Sequence, residues 1–186
     1  MEALLVSIGI VALAEVGDKT QLLTLVLAAR YKKPWPIVAG IFVATVVNHA
    51  IAGAAGAWLT KAIGADAMRW ILGASFIAMA AWMLIPDKLD EDAGATRMAG
   101  GVFVTTTLLF FLVEIGDKTQ IATVALAARF DSLVAVVMGT TVGMVLANAP
   151  VAFFGEALAK RLPVRAVRVV AALVFVALGL GVLLFG

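Results

Sequence analysis

Glu15-Val16-Gly17-Asp18-Lys19-Thr20-Gln21 returns as Glu114-Ile115-Gly116-Asp117-Lys118-Thr119-Gln120, and both copies lie inside long apolar runs. The offset that relates them, from 15 to 114, also pairs Thr24 with Thr123, Ala28-Ala29-Arg30 with Ala127-Ala128-Arg129 and Gly40 with Gly139. Without a gap it goes on to pair Gly56 with Gly155, Lys61 with Lys160 and Arg69 with Arg168. Self-similarity at a fixed interval over most of a chain marks a duplicated structural unit.

Around the motifs, 63% of residues are hydrophobic and 14% charged, and the mean hydropathy is +1.09. That composition excludes an ordinary soluble domain and makes the lipid bilayer the expected surroundings. Apolar runs of about 20 residues, the length that spans hydrocarbon, occur six times: Leu4 to Ala29, Trp35 to Leu59, Met68 to Ile85, Met98 to Ala128, Leu133 to Leu158 and Val164 to Phe185. Trp35, Trp58, Trp70 and Trp82 fall near run ends, where amphipathic rings favour the membrane interface. Met1-Glu2-Ala3 lacks the basic segment of a secretory signal, so the first run reads as a retained span.

Three spans per copy is an odd number, so the second copy enters the membrane from the opposite side. The expected fold is an all-α membrane protein, with six transmembrane helices as two inverted three-helix repeats, the architecture of many secondary transporters. The expected organisation is residues 1–86 as the first repeat, 87–97 as a cytoplasmic acidic linker and 98–186 as the second. Outside the motifs, Arg30, Lys32, Lys33, Lys88, Arg97, Lys160, Arg161, Arg165 and Arg168 belong to one side. Lys61, Arg69 and Arg129 belong to the other. By the positive-inside rule the first set is cytoplasmic and both termini lie outside a bacterial inner membrane. The net charge of +2 thus reflects topology rather than a nucleic-acid surface. Absence of cysteine removes thiolate ligands and leaves oxygen donors for hard or borderline cations.

On one continuous helix, Glu15, Asp18 and Gln21 recur every third residue and share a face, as do Glu114, Asp117 and Gln120. Charged carboxylates deep in hydrocarbon cost several kcal/mol, so they must line protein or a wet cavity. Inversion brings the two motifs together near the midplane. Four carboxylates and two amides then form an oxygen cage. With Lys19 and Lys118 also inward, two negative charges remain, which matches one divalent ion. Acids this crowded hold either a metal ion or protons, the competition an exchanger uses.

Other polar groups in the spans fall into supporting positions. Glu15 with Lys19 and Glu114 with Lys118 also fit i, i+4 salt bridges that serve packing alone. Gly17 and Gly116 suit close packing or an unwound turn equally. Thr20 and Thr119 suit backbone carbonyls better than ligation. Asn48, His49 and Asn148 are placed to complete or orient the coordination shell, and the repeat equates His49 with Asn148. Interhelical hydrogen bonding is the favoured role for the histidine. Pro150 should bend its helix just beyond Asn148. Gly40 with Ala44, and Gly139 with Gly143, form small-xxx-small seams that serve packing within one chain or in a homodimer. The acidic run Asp87 to Asp92 lacks the spacing of a calcium loop and reads as a solvated linker.

At the two motifs the chain resembles the GDT family of small cation exchangers, the transmembrane-protein-165 family, whose mark is a duplicated E-x-G-D-[KR]-[TS]. The resemblance covers essentially the whole chain and includes the MneA-type bacterial manganese exporters. It implies exchange of Mn2+, in some members Ca2+, for protons, with the acidic positions falling on Glu15, Asp18, Glu114 and Asp117. Mn2+ is then a transported substrate and not a cofactor. A Ca2+/H+ exchanger is the alternative, with an intramembrane enzyme or a passive cation channel more remote.

Overall fold

A computed structural model describes residues 1–86, 101–155 and 163–185. Among the described residues there are eight helices and no strand. They are α1 (Glu2–Glu15), α2 (Lys19–Tyr31), α3 (Pro34–Ile63), α4 (Ala65–Met83), α5 (Gly101–Glu114), α6 (Lys118–Arg129), α7 (Leu133–Phe154) and α8 (Val164–Phe185). The linker 87–97 with its acidic run, and Lys88, Arg97, Lys160 and Arg161, lie outside the described residues.

Two of the six apolar runs are not the continuous helices expected. The first divides into α1 and α2, the fourth into α5 and α6, each at its motif. At 12 to 14 residues, each half-helix is about 20 Å long. By contrast α3, α7 and α8 are each long and apolar enough to cross a membrane unaided. α7 continues as helix through Pro150.

Local chemistry sets the other ends. Ser132 caps α7 by accepting a hydrogen bond from the Ala135 amide at 3.3 Å, satisfying a donor that the first turn leaves open. α3 opens on proline at its first turn, where the missing N–H costs nothing.

α3 packs on α5, α6 and α7, and α7 in turn on α1 and α2. α4 and α8 pair with each other, α4 resting on α6 and α8 on α1. The small-residue seams are where backbones come closest. A methyl group on Gly40 would meet Thr106 Cβ at 2.8 Å, and one on Gly139 would meet Ser7 Cβ at 2.7 Å. Thr106 and Ser7 are themselves related by the repeat offset, so the two halves embrace reciprocally. Between lipid-solvated helices, such close packing replaces the hydrophobic effect as the source of association. Two apolar clusters flank the centre. One contains Phe76 and Phe175, with ring centroids 6.1 Å apart, and the other is built from Leu23, Leu27, Ile37, Ile41, Phe110 and Met144.

Thr60 donates to the Ala128 carbonyl at 3.2 Å, bringing the α3–α4 and α6–α7 corners together. Glu2, Arg129 and Gly181 line a cleft at that same end. Lys32, Pro34 and Phe154 border another cleft. Trp35, Trp58 and Trp70 are exposed, as interface residues would be, but Trp82 is only partly so.

Candidate cation site

Each motif spells the end of one helix and the start of another. Glu15 closes α1, Gly17 turns the chain at φ +79°, and Asp18 caps α2. Glu114, Gly116 at φ +74° and Asp117 occupy the same places between α5 and α6, although the Asp117 side chain makes no cap bond among the described residues. A left-handed backbone is inexpensive only for glycine, and aspartate is among the strongest N-caps. Bonds from Asp18 N to the Glu15 carbonyl, 3.0 Å, and from Asp117 N to the Glu114 carbonyl, 3.1 Å, close the turns. The expected three-residue stripe on a continuous helix is therefore corrected, since helical spacing stops at the glycine.

The glutamines span these breaks. Gln21 Oε1 accepts from Gly17 N at 2.9 Å, and its Nε2 donates to the Ala147 carbonyl at 3.1 Å. Gln120 Oε1 accepts from Gly116 N at 2.7 Å, and its Nε2 donates to Asn48 Oδ1 at 3.0 Å. Asn48 passes the connection on, donating to the Phe111 carbonyl at 3.0 Å. Both amides thus tie a broken backbone to the neighbouring repeat's α7 or α3, and each gives a partner to a backbone N–H that the break leaves outside a helix. Thr20 Oγ1 donates to Glu15 Oε2 and Thr119 Oγ1 to Glu114 Oε1, so each hydroxyl reaches back over its break to the acid. These side chains serve carboxylates rather than the backbone carbonyls expected of them.

Across the interface between breaks, Glu15, Glu114 and Asp117 converge, all buried, with one oxygen of each within 4.8 Å of the others. Glu15 Oε1 and Glu114 Oε2 have no hydrogen-bond partner among the described residues. Asp18 is buried too but outside this trio, its Oδ1 3.6 Å from Lys118 Nζ. Lys19 Nζ lies 2.9 Å from Asp117 Oδ1, so it crosses to the other repeat instead of pairing with Glu15. The crossed pairs give the buried charges the company that a low-dielectric interior demands.

The surroundings of the two pairs differ. Lys118 is 1% exposed and lies 5.9 Å from the centroid of Trp82, whereas Lys19 is 24% exposed. The first break is covered as well. Arg168 Nη2 donates to the Gly17 carbonyl at 2.8 Å, and Val164 fills the space a Cβ on Gly17 would need. Gly116 has no such neighbour among the described residues.

Asn148 Oδ1 accepts from Thr24 Oγ1 at 2.7 Å while its Nδ2 donates to Glu15 Oε2 at 3.3 Å, aiming that carboxylate. His49, at the equivalent place, makes no hydrogen bond at either ring nitrogen among the described residues, contrary to the interhelical role expected of it. Its Nε2 lies 3.6 Å from Glu114 Oε1. Sequence reasoning passed over Trp82, Thr24 and Arg168. The last was counted as a loop cation, although its pairing with Arg69 in the repeat was a usable signal.

Apolar helices of spanning length, discontinuous helices meeting in the interior, and buried acids at the discontinuities define a membrane protein of the ion-transporting class. The family model described as "Divalent cation/proton antiporter GDT1" matches residues 3–91 and 102–186, and the chain belongs to that family of transporters. It is 49% identical to a Vibrio cholerae protein named "Putative manganese exporter", over 100% of this chain and 92% of the relative. A GDT1-like protein of Synechocystis is 28% identical over 89% of each chain. "GDT1-like protein 3" of Arabidopsis thaliana is 26% identical over 94% of this chain and 68% of its own length. No solved structure matches the chain.

Proposed function

We propose that the protein exports Mn2+ from the cytoplasm in exchange for protons, binding the ion between the two helix breaks through Glu15, Glu114 and Asp117. The observation that carries this reading is the buried trio itself, three carboxylates from both repeats within 4.8 Å, two of them with an oxygen that has no hydrogen-bond partner among the described residues. Oxygen ligands of this kind suit Mn2+ and Ca2+ alike. Protons and metal compete for the same oxygens, and that competition links the two flows. Lys19 and Lys118 act as tethered counter-ions, each holding an aspartate of the opposite repeat when the metal does not. Asp18, held by Lys118 in this arrangement, is the acid that joins the shell when that pair opens.

Six membrane crossings as two inverted repeats, residues 1–86 and 98–186 joined by the linker 87–97, fit the reciprocal glycine seams and the crossed lysine–aspartate pairs. Alternating access follows from what is not reciprocal. The α4–α8 pair rests on α6 and α1, burying Lys118 and covering Gly17. By the repeat offset, the opposite-facing state has the pair over α2 and α5, with Arg69 taking the Gly116 carbonyl as Arg168 takes that of Gly17. The lysine and arginine distribution supports an orientation in a bacterial inner membrane with both termini outside.

Reconstituted protein tests the reading. In liposomes with an imposed pH gradient, Mn2+ should move against its own gradient, and Glu15→Gln or Asp117→Asn should stop it while the protein remains folded. Normal transport by both variants would refute the assignment. Ca2+ competition in the same vesicles ranks the two ions.

A further inference from the structure

Positions 49 and 148 are equivalent in the repeat, and both side chains are buried beside a motif glutamate. Their hydrogen bonding is not equivalent. Asn148 is engaged at both ends, donating to Glu15 and to the Met144 carbonyl and accepting from Thr24. His49 is 0% exposed, and neither ring nitrogen has a hydrogen-bond partner among the described residues. A buried imidazole without hydrogen bonds departs from the rule that buried polar groups are paired, so the position is held for something other than packing. The ring is anchored on α3, the longest helix of the fold, whose neighbours Gly40 and Asn48 are pinned to α5 by close contact and by a hydrogen bond.

We infer that His49 is a metal ligand and the residue that sets this site's preference for a transition-metal ion over Ca2+ and Mg2+, an inference that rests on the cation site proposed above. Its Nε2 lies 3.6 Å from Glu114 Oε1. Adjacent ligands on one six-coordinate ion stand about 3–3.5 Å apart when metal–ligand distances are about 2.1–2.5 Å, so the pair can share an ion with little movement. The carboxylates alone make a hard oxygen set that does not separate Mn2+ from Ca2+. One neutral imidazole changes that, because nitrogen donors favour first-row transition ions and gain little with Ca2+ or Mg2+. The duplicated motif thus supplies charge from both repeats, and a departure from the duplication, histidine at 49 where the second copy has Asn148, supplies selectivity.

The test uses the full chain in detergent, loaded with Mn2+ alone, and pulsed electron paramagnetic resonance. Wild type should show the modulation of a directly coordinated 14N nucleus, and His49→Asn should lose it. Asparagine is the natural replacement, since Asn148 fits the equivalent position. In parallel, the ratio of Mn2+ to Ca2+ affinity should fall about tenfold or more in His49→Asn and His49→Gln. Bound Mn2+ without a nitrogen signal in wild type, or an unchanged ratio in the variants, overturns the inference and leaves the carboxylate site standing. If wild type binds no Mn2+, the carboxylate site and this inference fall together. Should both variants fail to fold, the wild-type spectrum decides.

Discussion

Lys19 and Lys118 occupy equivalent positions, yet one is partly open to its surroundings and the other is sealed under Trp82. The same substitution should therefore have unequal effects. Removing one partner of a fully buried pair costs about 3–5 kcal/mol, because the remaining charge is stranded. Lys118→Met removes the fully buried lysine beside Asp18, whereas Lys19 is partly exposed in its pair with Asp117, so Lys19→Met should cost clearly less. Equilibrium unfolding of the two variants in detergent checks the order, and equal losses would count against the sealed geometry. Gln21→Ala should also destabilise, by about 1–3 kcal/mol, since it deprives Gly17 N of its acceptor. Gln21→Glu retains an acceptor and should recover part of that loss.

Among the elements, the two helix breaks carry the design, and their glycines differ in what surrounds them. Alanine at Gly17 meets both an unfavourable φ and the Val164 side chain, whereas alanine at Gly116 meets only the φ. The backbone cost alone is about 1–2 kcal/mol, so Gly17→Ala should lower the melting temperature more than Gly116→Ala. Arg168 makes a second prediction at this scale. Without its bond to the Gly17 carbonyl, the covered first break should open. The chain contains no cysteine, so a single cysteine at Val16 should label faster with a membrane-impermeant thiol reagent in the Arg168→Ala background. Unchanged labelling would show that the arginine does not hold the cover. That the breaks exist was only half legible beforehand. Glycine inside an apolar run is compatible with an intact helix, and it takes the aspartate immediately after it, a cap, to tip the local balance. Once a break is recognised, Gln21 and Gln120 cease to be members of an acidic stripe and become groups four residues past a turn, within reach of its amide.

For the molecule as a whole, the duplication was written plainly in the sequence, because two seven-residue motifs and a train of matched positions share one offset. It announced that acids from both halves would meet, and Glu15, Glu114 and Asp117 do. It could not announce which of four acids would stand apart. The observed arrangement, with α4 resting on α6 and α8 on α1, is an asymmetry that two near-identical motifs do not spell out. The crossed lysine pairs were hidden for a related reason, since i, i+4 spacing within one motif competes on paper with a contact that exists only after two halves assemble. Anomalous diffraction from Mn2+-soaked crystals tests the central claim most directly. A manganese peak bounded by Glu15, Glu114 and Asp117, and lost in Glu114→Gln under identical soaking, is the predicted result. A fully occupied peak elsewhere, with the space between the two breaks empty, would contradict it.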